Sequence, residues 1–169
     1  QKPSATVEDQ MLKRIRQLYN AEIRRTDAAI GHLFNSLKKQ GEFDNTLISV
    51  VGDHGTELHD HGGFSHGPEK LYDEVLRVPL VIHGPDVPKE TRELAGLVDL
   101  PRTIVELIDS IDSIPDTFEG INLFDKQRTE VCSEVIYDID PVQGENIENK
   151  PLQSMTAPPW KLIHNLQTG

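Results

Sequence analysis

Residues 46–66 read TLISVVGDHGTELHDHGGFSH, and this stretch decides the fold. Its first six residues form a continuous, largely β-branched run, which is typical of a strand buried on both faces of a parallel sheet. A glycine ends the run, so Asp53 and His54 follow at the carboxyl end of the strand. In open α/β sheets this edge is where ligands bind. The sequence therefore predicts an α/β fold with its functional site in loop 52–70.

Loop 52–70 is rich in glycine and holds four of the seven histidines. A carboxylate and an imidazole at a strand end can both reach a divalent cation, and Gly52 and Gly55 let the backbone turn there. The alternative is structural: Asp53 caps a turn and His54 donates to a carbonyl. The spacing is not that of the HExxH metalloproteases, and a single cysteine argues against a structural zinc site. Residue types and spacing alone leave metal binding and a structural loop equally open.

The segments around the loop continue an α/β alternation. Apolar residues recur at helical spacing from about Glu8 to Lys39, and Gly41 follows as a stop, which predicts one long amphipathic helix. Downstream, LYDEVL predicts a short helical turn and LVIHG a second strand. RELAGLVDL then predicts a short strand, and PRTIVELIDSI a helix with Pro101 in its first turn.

The C-terminal part has a different pattern. VCSEVI and SMTAPPWKLIHNL predict shorter strands, including an antiparallel pair, and the polar DIDPVQGENIENK predicts a surface loop between them. The only cysteine, Cys132, excludes an internal disulfide and is interpreted as a small buried thiol.

Charge and hydropathy limit the partners. The 169 residues contain 17 Lys+Arg and 28 Asp+Glu, which gives a net charge of −11. This acidic balance disfavours nucleic acid and anionic membranes. The longest apolar runs are far shorter than the roughly 20 residues of a membrane-spanning helix, and the first residues lack a basic and apolar signal pattern. We therefore expect neither nucleic acid nor a membrane as a partner, and the compartment stays undetermined.

The string from TLISVV to VIHGP closely resembles the sulfatase family of the alkaline phosphatase superfamily. That family reads strand, D-H-G, an acidic residue, H-G, a small loop, LYDE, and RVPL before an apolar run. The upstream helix, GLVDLPRTIVELI, FEGINL and WKLIHN agree as well, so the resemblance covers about residues 17–166. It implies part of an alkaline-phosphatase-like sheet flanked by helices, with a small antiparallel C-terminal element. Residues 1–169 then form a single incomplete domain, with an α/β part, 1–126, and C-terminal strands and loop, 127–169.

The resemblance also implies site residues. Asp53 and His54 match the family's second pair of metal ligands, so a divalent metal is implied. Calcium is the first expectation, and manganese or zinc are the alternatives because imidazole suits softer ions. His66 matches the position where relatives place lysine or histidine against the anionic oxygens of the ester, and it is the catalytic candidate.

The remaining polar residues of the region are given lesser roles. His61 is expected to shape the loop, His59 to lie at the surface, and Lys70 to be an exposed lysine that is only a weaker candidate for the ester contact. The nearby carboxylates are expected to be solvated: Glu57, Asp60, Asp73 and Glu74. Arg77 is expected to brace the loop through one of the last two.

Two features of the family do not occur in this sequence. The family's nucleophile lies in C/S-x-P-x-R, and an Asp-Asp pair completes its metal site, but neither motif is present. The resemblance thus implies a fragment of a metal-dependent sulfuric ester hydrolase, inactive alone, whose substrate is a small-molecule or carbohydrate sulfate ester. The alternatives are a phosphodiesterase, phosphonate monoester hydrolase or phosphoglycerol transferase of the same superfamily, or a non-catalytic metal-binding or interaction module. An uncovered sheet edge would also favour self-association.

Overall fold

A computed structural model describes residues 7–66, 70–108, 117–135 and 151–167. Helices and strands alternate along these segments, which confirms a mixed α/β composition. The elements are α1 (Val7–Gln40), β1 (Ile48–Val51), β2 (Glu57–Leu58), β3 (Phe64–Ser65), α2 (Asp73–Leu76), β4 (Leu80–His83), α3 (Asp99–Ile108), β5 (Val131–Val135), β6 (Leu152–Ala157) and β7 (Trp160–Asn165).

The long helix α1 is confirmed, and it ends where predicted. Gly41 follows it with a φ of 76°, a left-handed conformation that glycine adopts without steric cost. Arg16 Nη2 donates to the carbonyl of Leu58 at 3.0 Å and to Asp60 Oδ1 at 3.2 Å. These contacts join α1 to the loop that follows β1.

The sheet that contains β1 differs from the expectation. β1 pairs with β4 in antiparallel register, from Ile48 opposite His83 to Val51 opposite Leu80. The prediction of a strand buried on both faces of a parallel sheet was wrong for the described residues, where Val51 is 39% exposed. The physical reason lies in the connection: parallel strands need a long crossover, usually a helix. Between β1 and β4 the chain forms a β-hairpin and the four-residue α2 instead.

The segment before α3 is a loop, so the short strand predicted in RELAGLVDL is wrong. Buried Asp99 explains the difference, because its Oδ2 accepts from the Gly96 N–H at 2.9 Å and folds the chain into the start of α3. Its Oδ1 accepts from the Ile121 N–H at 2.9 Å. The predicted helix with Pro101 in its first turn is confirmed as far as Ile108. The rest of PRTIVELIDSI lies outside the described residues.

Three C-terminal strands form an antiparallel sheet in the order β5-β6-β7, which confirms the predicted strands and their antiparallel pairing. Pro158 and Pro159, joined by a cis peptide bond, connect β6 to β7. Cys132 is exposed, so its interpretation as a buried thiol was wrong. Its strand alternates between a half-buried and an exposed face, and Cys132 is on the exposed face with Glu134. The predicted surface loop falls within 136–150, outside the described residues.

Lys161 on β7 joins the C-terminal sheet to α2, since its Nζ lies 2.6 Å from Asp73 Oδ1. Val75 on α2 and Leu71, which precedes this helix, are buried apolar side chains. In the part of the chain that the structure describes, no helix combines the length and apolar character needed to cross a membrane. Self-association stays a prediction, as does the division of the domain after residue 126.

Candidate metal and ester site

Asp53 and His54 lie directly after β1, at the strand end where the sequence placed them. Asp53 Oδ1 accepts a hydrogen bond from the His54 backbone N–H at 2.9 Å. His54 Nδ1 lies 3.0 Å from the carbonyl oxygen of Gly55, and His54 Nε2 lies 3.8 Å from Asp53 Oδ2. The Asp53 side chain is 89% exposed and the His54 side chain is 43% exposed, so both are accessible to solvent.

The contacts of His54 fix which ring nitrogen is available. A carbonyl oxygen only accepts hydrogen bonds, so Nδ1 carries the proton and donates to Gly55. In the neutral ring, Nε2 then presents its lone pair close to the Asp53 carboxylate. The His54 Nε2 lone pair and the Asp53 carboxylate lie 3.8 Å apart, and a cation that binds both would stabilise this arrangement. Metal–ligand bonds of about 2–2.6 Å, as in zinc and calcium sites, are long enough for one ion to reach both atoms.

These two residues therefore fit a divalent metal by their donor chemistry, and they would supply part of its coordination. Within the described ranges no group of three or more His, Cys, Asp or Glu side chains is placed to hold a metal ion. The hydrogen bond from the His54 backbone N–H holds the pKa of Asp53 below its ordinary value. Asp53 is thus ionised at neutral pH, as a metal ligand must be.

His66 lies beside this pair. Its ring centroid is 4.0 Å from that of His54, with an angle of 30° between the ring planes. The structure thus brings together the three residues to which the sequence gave site roles. The catalytic role of His66 and the metal-binding role of Asp53 and His54 stay predictions.

Gly55 shows why the loop turns at this point. Its N–H donates to the carbonyl of Val75 at 2.6 Å. A Cβ atom at residue 55 would lie 2.0 Å from the carbonyl oxygen of Glu74. Only glycine allows this approach, which packs the start of the loop against α2.

Two other loop histidines make contacts within the loop region. The ring of His61 stacks on Tyr72 with centroids 3.7 Å apart, and His61 Nδ1 lies 3.1 Å from Glu74 Oε1, which fits the expected loop-shaping role. His59 was expected at the surface, but it is half-buried and stacks on Phe64 with centroids 5.2 Å apart. Its φ of 73° places it in the tight turn between β2 and β3.

Sequence reasoning missed the role of Glu57. This residue was expected to be solvated, yet it is 0% exposed. Its Oε1 accepts from the N–H groups of His61 at 2.9 Å and Gly63 at 2.8 Å, and its Oε2 is paired with Lys70 Nζ. Lys70 is correspondingly not an exposed lysine, since only 20% of its side chain is accessible. The pair is separated by thirteen residues along the chain, and no periodicity signals it.

The prediction for Arg77 was also wrong. Asp73 pairs with Lys161, and Glu74 contacts His61. In the described structure Arg77 makes no ion pair with either carboxylate, and its backbone N–H donates to the carbonyl of Asp73 at 2.8 Å.

The Glu57–Lys70 pair predicts a specific pH dependence. The hydrogen bond from Lys70 lowers the pKa of Glu57 from its ordinary 4.5 to about 2, against the opposing effect of burial and with help from the Gly63 and His61 N–H groups. Because the folded pKa is the lower one, this stabilisation is fully present above pH 4.5 and is lost as the pH falls towards about 2. Melting temperatures of wild type and Glu57→Gln between pH 6 and pH 2 should therefore converge as the pH falls. A constant difference would contradict the prediction.

An open cleft of about 450 Å³ adjoins Asp53. Its other lining residues are apolar or glycine and come from the end of β1 and from the start of α3 and the loop before it: Val51, Gly52, Leu97, Leu100, Pro101 and Ile104. Asp53 is thus the only ionisable group that lines this cleft among the described residues.

Comparison with known proteins identifies the family to which this chain belongs. The sulfatase family profile matches residues 1–110, and the chain belongs to the sulfatase family. It is 32% identical over 120 residues to an arylsulfatase of Clostridium perfringens, covering 68% of this chain and 24% of that protein. It is also 32% identical over 113 residues to lipoteichoic acid synthase 2 of Bacillus subtilis, covering 62% of this chain and 17% of that protein.

The fold comparison agrees. The solved structure of BT4656 in complex with its substrate D-glucosamine-2-N,6-O-disulfate superimposes with a TM-score of 0.69 at 26% sequence identity. The match covers 87% of this chain and 31% of that chain. The chain thus spans about a quarter or less of the length of these two curated relatives.

Proposed function

We propose that this chain is the part of a metal-dependent sulfuric ester hydrolase that contributes two metal ligands, Asp53 and His54, and an ester-contacting histidine, His66. The observation that carries the proposal is their juxtaposition at the end of β1. Asp53 Oδ2 lies 3.8 Å from His54 Nε2, and the His66 ring lies 4.0 Å from the His54 ring.

Asp53 and His54 would hold the cation through one oxygen and one nitrogen. Calcium is the first candidate, and manganese or zinc are the alternatives because a nitrogen ligand suits softer ions. When bound, a divalent cation supplies charge stabilisation at the anionic oxygens of the ester. The chain's own contribution is an ionised carboxylate and an imidazole whose Nδ1–H is directed to the Gly55 carbonyl, so that Nε2 remains the ligand atom.

His66 would contact the ester itself. An imidazolium donates hydrogen bonds from both nitrogens, so it can stabilise negative charge on the transferring group or give a proton to the leaving oxygen. Its position against His54 puts this donor next to the proposed metal ligands.

The proposed substrate class is a sulfate ester of a small molecule or carbohydrate. The structural relative bound to D-glucosamine-2-N,6-O-disulfate supports this choice, as does the arylsulfatase relative. A second candidate is phosphoryl chemistry in the same superfamily, which the similarity to lipoteichoic acid synthase 2 favours. A non-catalytic metal-binding module is the third reading, because the chain contains no C/S-x-P-x-R motif.

The deciding experiment uses the longest native gene product that contains this chain, assayed with paired aryl sulfate and aryl phosphate substrates and with each of the three metals. We expect metal-dependent hydrolysis that is faster with the sulfate. His66→Ala should lower kcat by about 10²–10³, the usual loss for one charge-stabilising donor, while His164→Ala on β7 serves as the matched control. Faster phosphate hydrolysis would select the second candidate, and metal binding without hydrolysis would select the third.

A further inference from the structure

We propose that the Glu57–Lys70 pair is a positioning device that holds His66 against His54. The inference rests on the proposed function of those histidines, and it assigns roles to two residues that touch neither the ester nor the metal. The argument comes from how the pair is tied to the segment that carries His66.

The backbone places Glu57 directly across from the start of that segment. β2 and β3 pair antiparallel, with Glu57 opposite Ser65 and Leu58 opposite Phe64. His66 is the next residue after Ser65, at the open end of this two-rung ladder. A ladder of two rungs holds its strands weakly by itself, so other contacts must fix the direction in which the chain leaves β3.

The Glu57 side chain supplies these contacts on both sides of His66. Its Oε1 accepts from the N–H groups of His61 and Gly63, at 2.9 Å and 2.8 Å, which closes the hairpin before His66. Its Oε2 pairs with Lys70 Nζ, which fixes residue 70, four positions after His66. The Glu57 carboxylate thus contacts the loop at residues 61, 63 and 70, and His66 lies between the last two along the chain.

Burial makes the contact between Glu57 and Lys70 costly to break. The Glu57 side chain is 1% exposed, and the Lys70 side chain is 20% exposed. A buried charge that loses its partner is strongly destabilised, so removing Lys70 forces the carboxylate to take a proton or move to water. In either case residue 70 is no longer tied to Glu57, and a move to water also breaks the two hydrogen bonds that close the hairpin.

Gly63 gives a second indication that the loop is built around the pair. A Cβ atom at residue 63 would lie 2.1 Å from Lys70 Nζ and 3.4 Å from Glu57 Oε2. The absence of a side chain there is what lets the lysine reach the carboxylate. Since both Glu57 oxygens are engaged within the protein, the pair acts on the site through His66.

The test compares two identical lysine substitutions in this chain by NMR, with the contact between the His54 and His66 rings as the readout. Lys70→Met should abolish the nuclear Overhauser effects between these rings and shift both ring resonances towards their values in an unfolded peptide. Lys161→Met is the matched control, since Lys161 is 19% exposed and also pairs with a carboxylate, Asp73. It should leave the ring contact unchanged.

Retention of the ring contact in folded Lys70→Met would overturn the proposal and leave the pair a purely structural role. If Lys70→Met does not fold, Glu57→Gln decides in the same way, because its amide oxygen can keep the two backbone hydrogen bonds while the charge pair is lost. Lys70→Arg should restore the ring contact. These readouts need no substrate and no metal, so they can fail or succeed independently of the proposed sulfatase activity.

Discussion

In the native gene product that contains this chain, His54→Ala is expected to lower both the affinity for the divalent metal and kcat/KM by at least about a hundredfold, because loss of even an outer partner of a metal ligand costs 10–100-fold. The substitution removes the proposed nitrogen ligand, His54 Nε2, which lies 3.8 Å from Asp53 Oδ2. Metal affinity is measured by calorimetry on the metal-free protein, and kcat/KM with an aryl sulfate at saturating metal.

Asp53→Asn tests whether the negative charge of this side chain is needed for metal binding, because asparagine has nearly the same shape. The amide keeps one oxygen at a similar position but carries no negative charge, so metal affinity should fall while the fold is kept. Asp53 is 89% exposed, and the amide oxygen of asparagine can still accept the hydrogen bond from the His54 N–H. Unchanged metal affinity in both variants would contradict the assignment of these residues as ligands.

Local patterns explain the parts of the fold that the sequence predicted well. α1 follows from helical spacing of apolar residues and a glycine stop, and β1 follows from its β-branched run. The strand partner of β1 did not follow, because pairing depends on how the intervening loop returns the chain. Exposure of Cys132 was predictable in principle: Glu134 is in phase with it on the same strand, and a charged residue indicates the solvent face.

In the candidate site, too, the sequence predicted some residues and missed others. Asp53, His54 and His66 were found because their residue types and their position after a strand carry the chemical signal. Glu57 and Lys70 were assigned to solvent because an isolated acidic residue in a polar loop gives no sign of burial. Their contact joins residues thirteen positions apart, which only the folded chain brings together.

The largest stability effect in the described structure is expected at Arg128. Its Nε and Nη2 atoms donate to Asp99 Oδ2 and Oδ1 at 2.6 and 2.5 Å, and Asp99 is 0% exposed. Arg128→Met leaves this buried carboxylate without its cation, which should reduce the free energy of unfolding by about 3–5 kcal/mol. Urea unfolding measures the change. Arg102→Met is the control, because Arg102 is 39% exposed and its pair with Glu106 is worth at most about 1 kcal/mol.

The pH dependence of the same pair gives an independent check. Burial alone would raise the pKa of Asp99, but the hydrogen bonds from Arg128 and from the Ile121 and Gly96 N–H groups outweigh burial and lower it. The stabilisation is therefore fully present above the unfolded value of 3.8 and is lost as the pH falls below it. In Arg128→Met the opposing effect of burial remains without the guanidinium, so Asp99 should take up its proton at a higher pH. The variant then has less carboxylate stabilisation to lose on acidification, so the difference in the free energy of unfolding between wild type and variant should shrink as the pH falls below 3.8. Identical acid-unfolding profiles would show that the Asp99 carboxylate does not depend on Arg128, and would contradict both predictions for this pair.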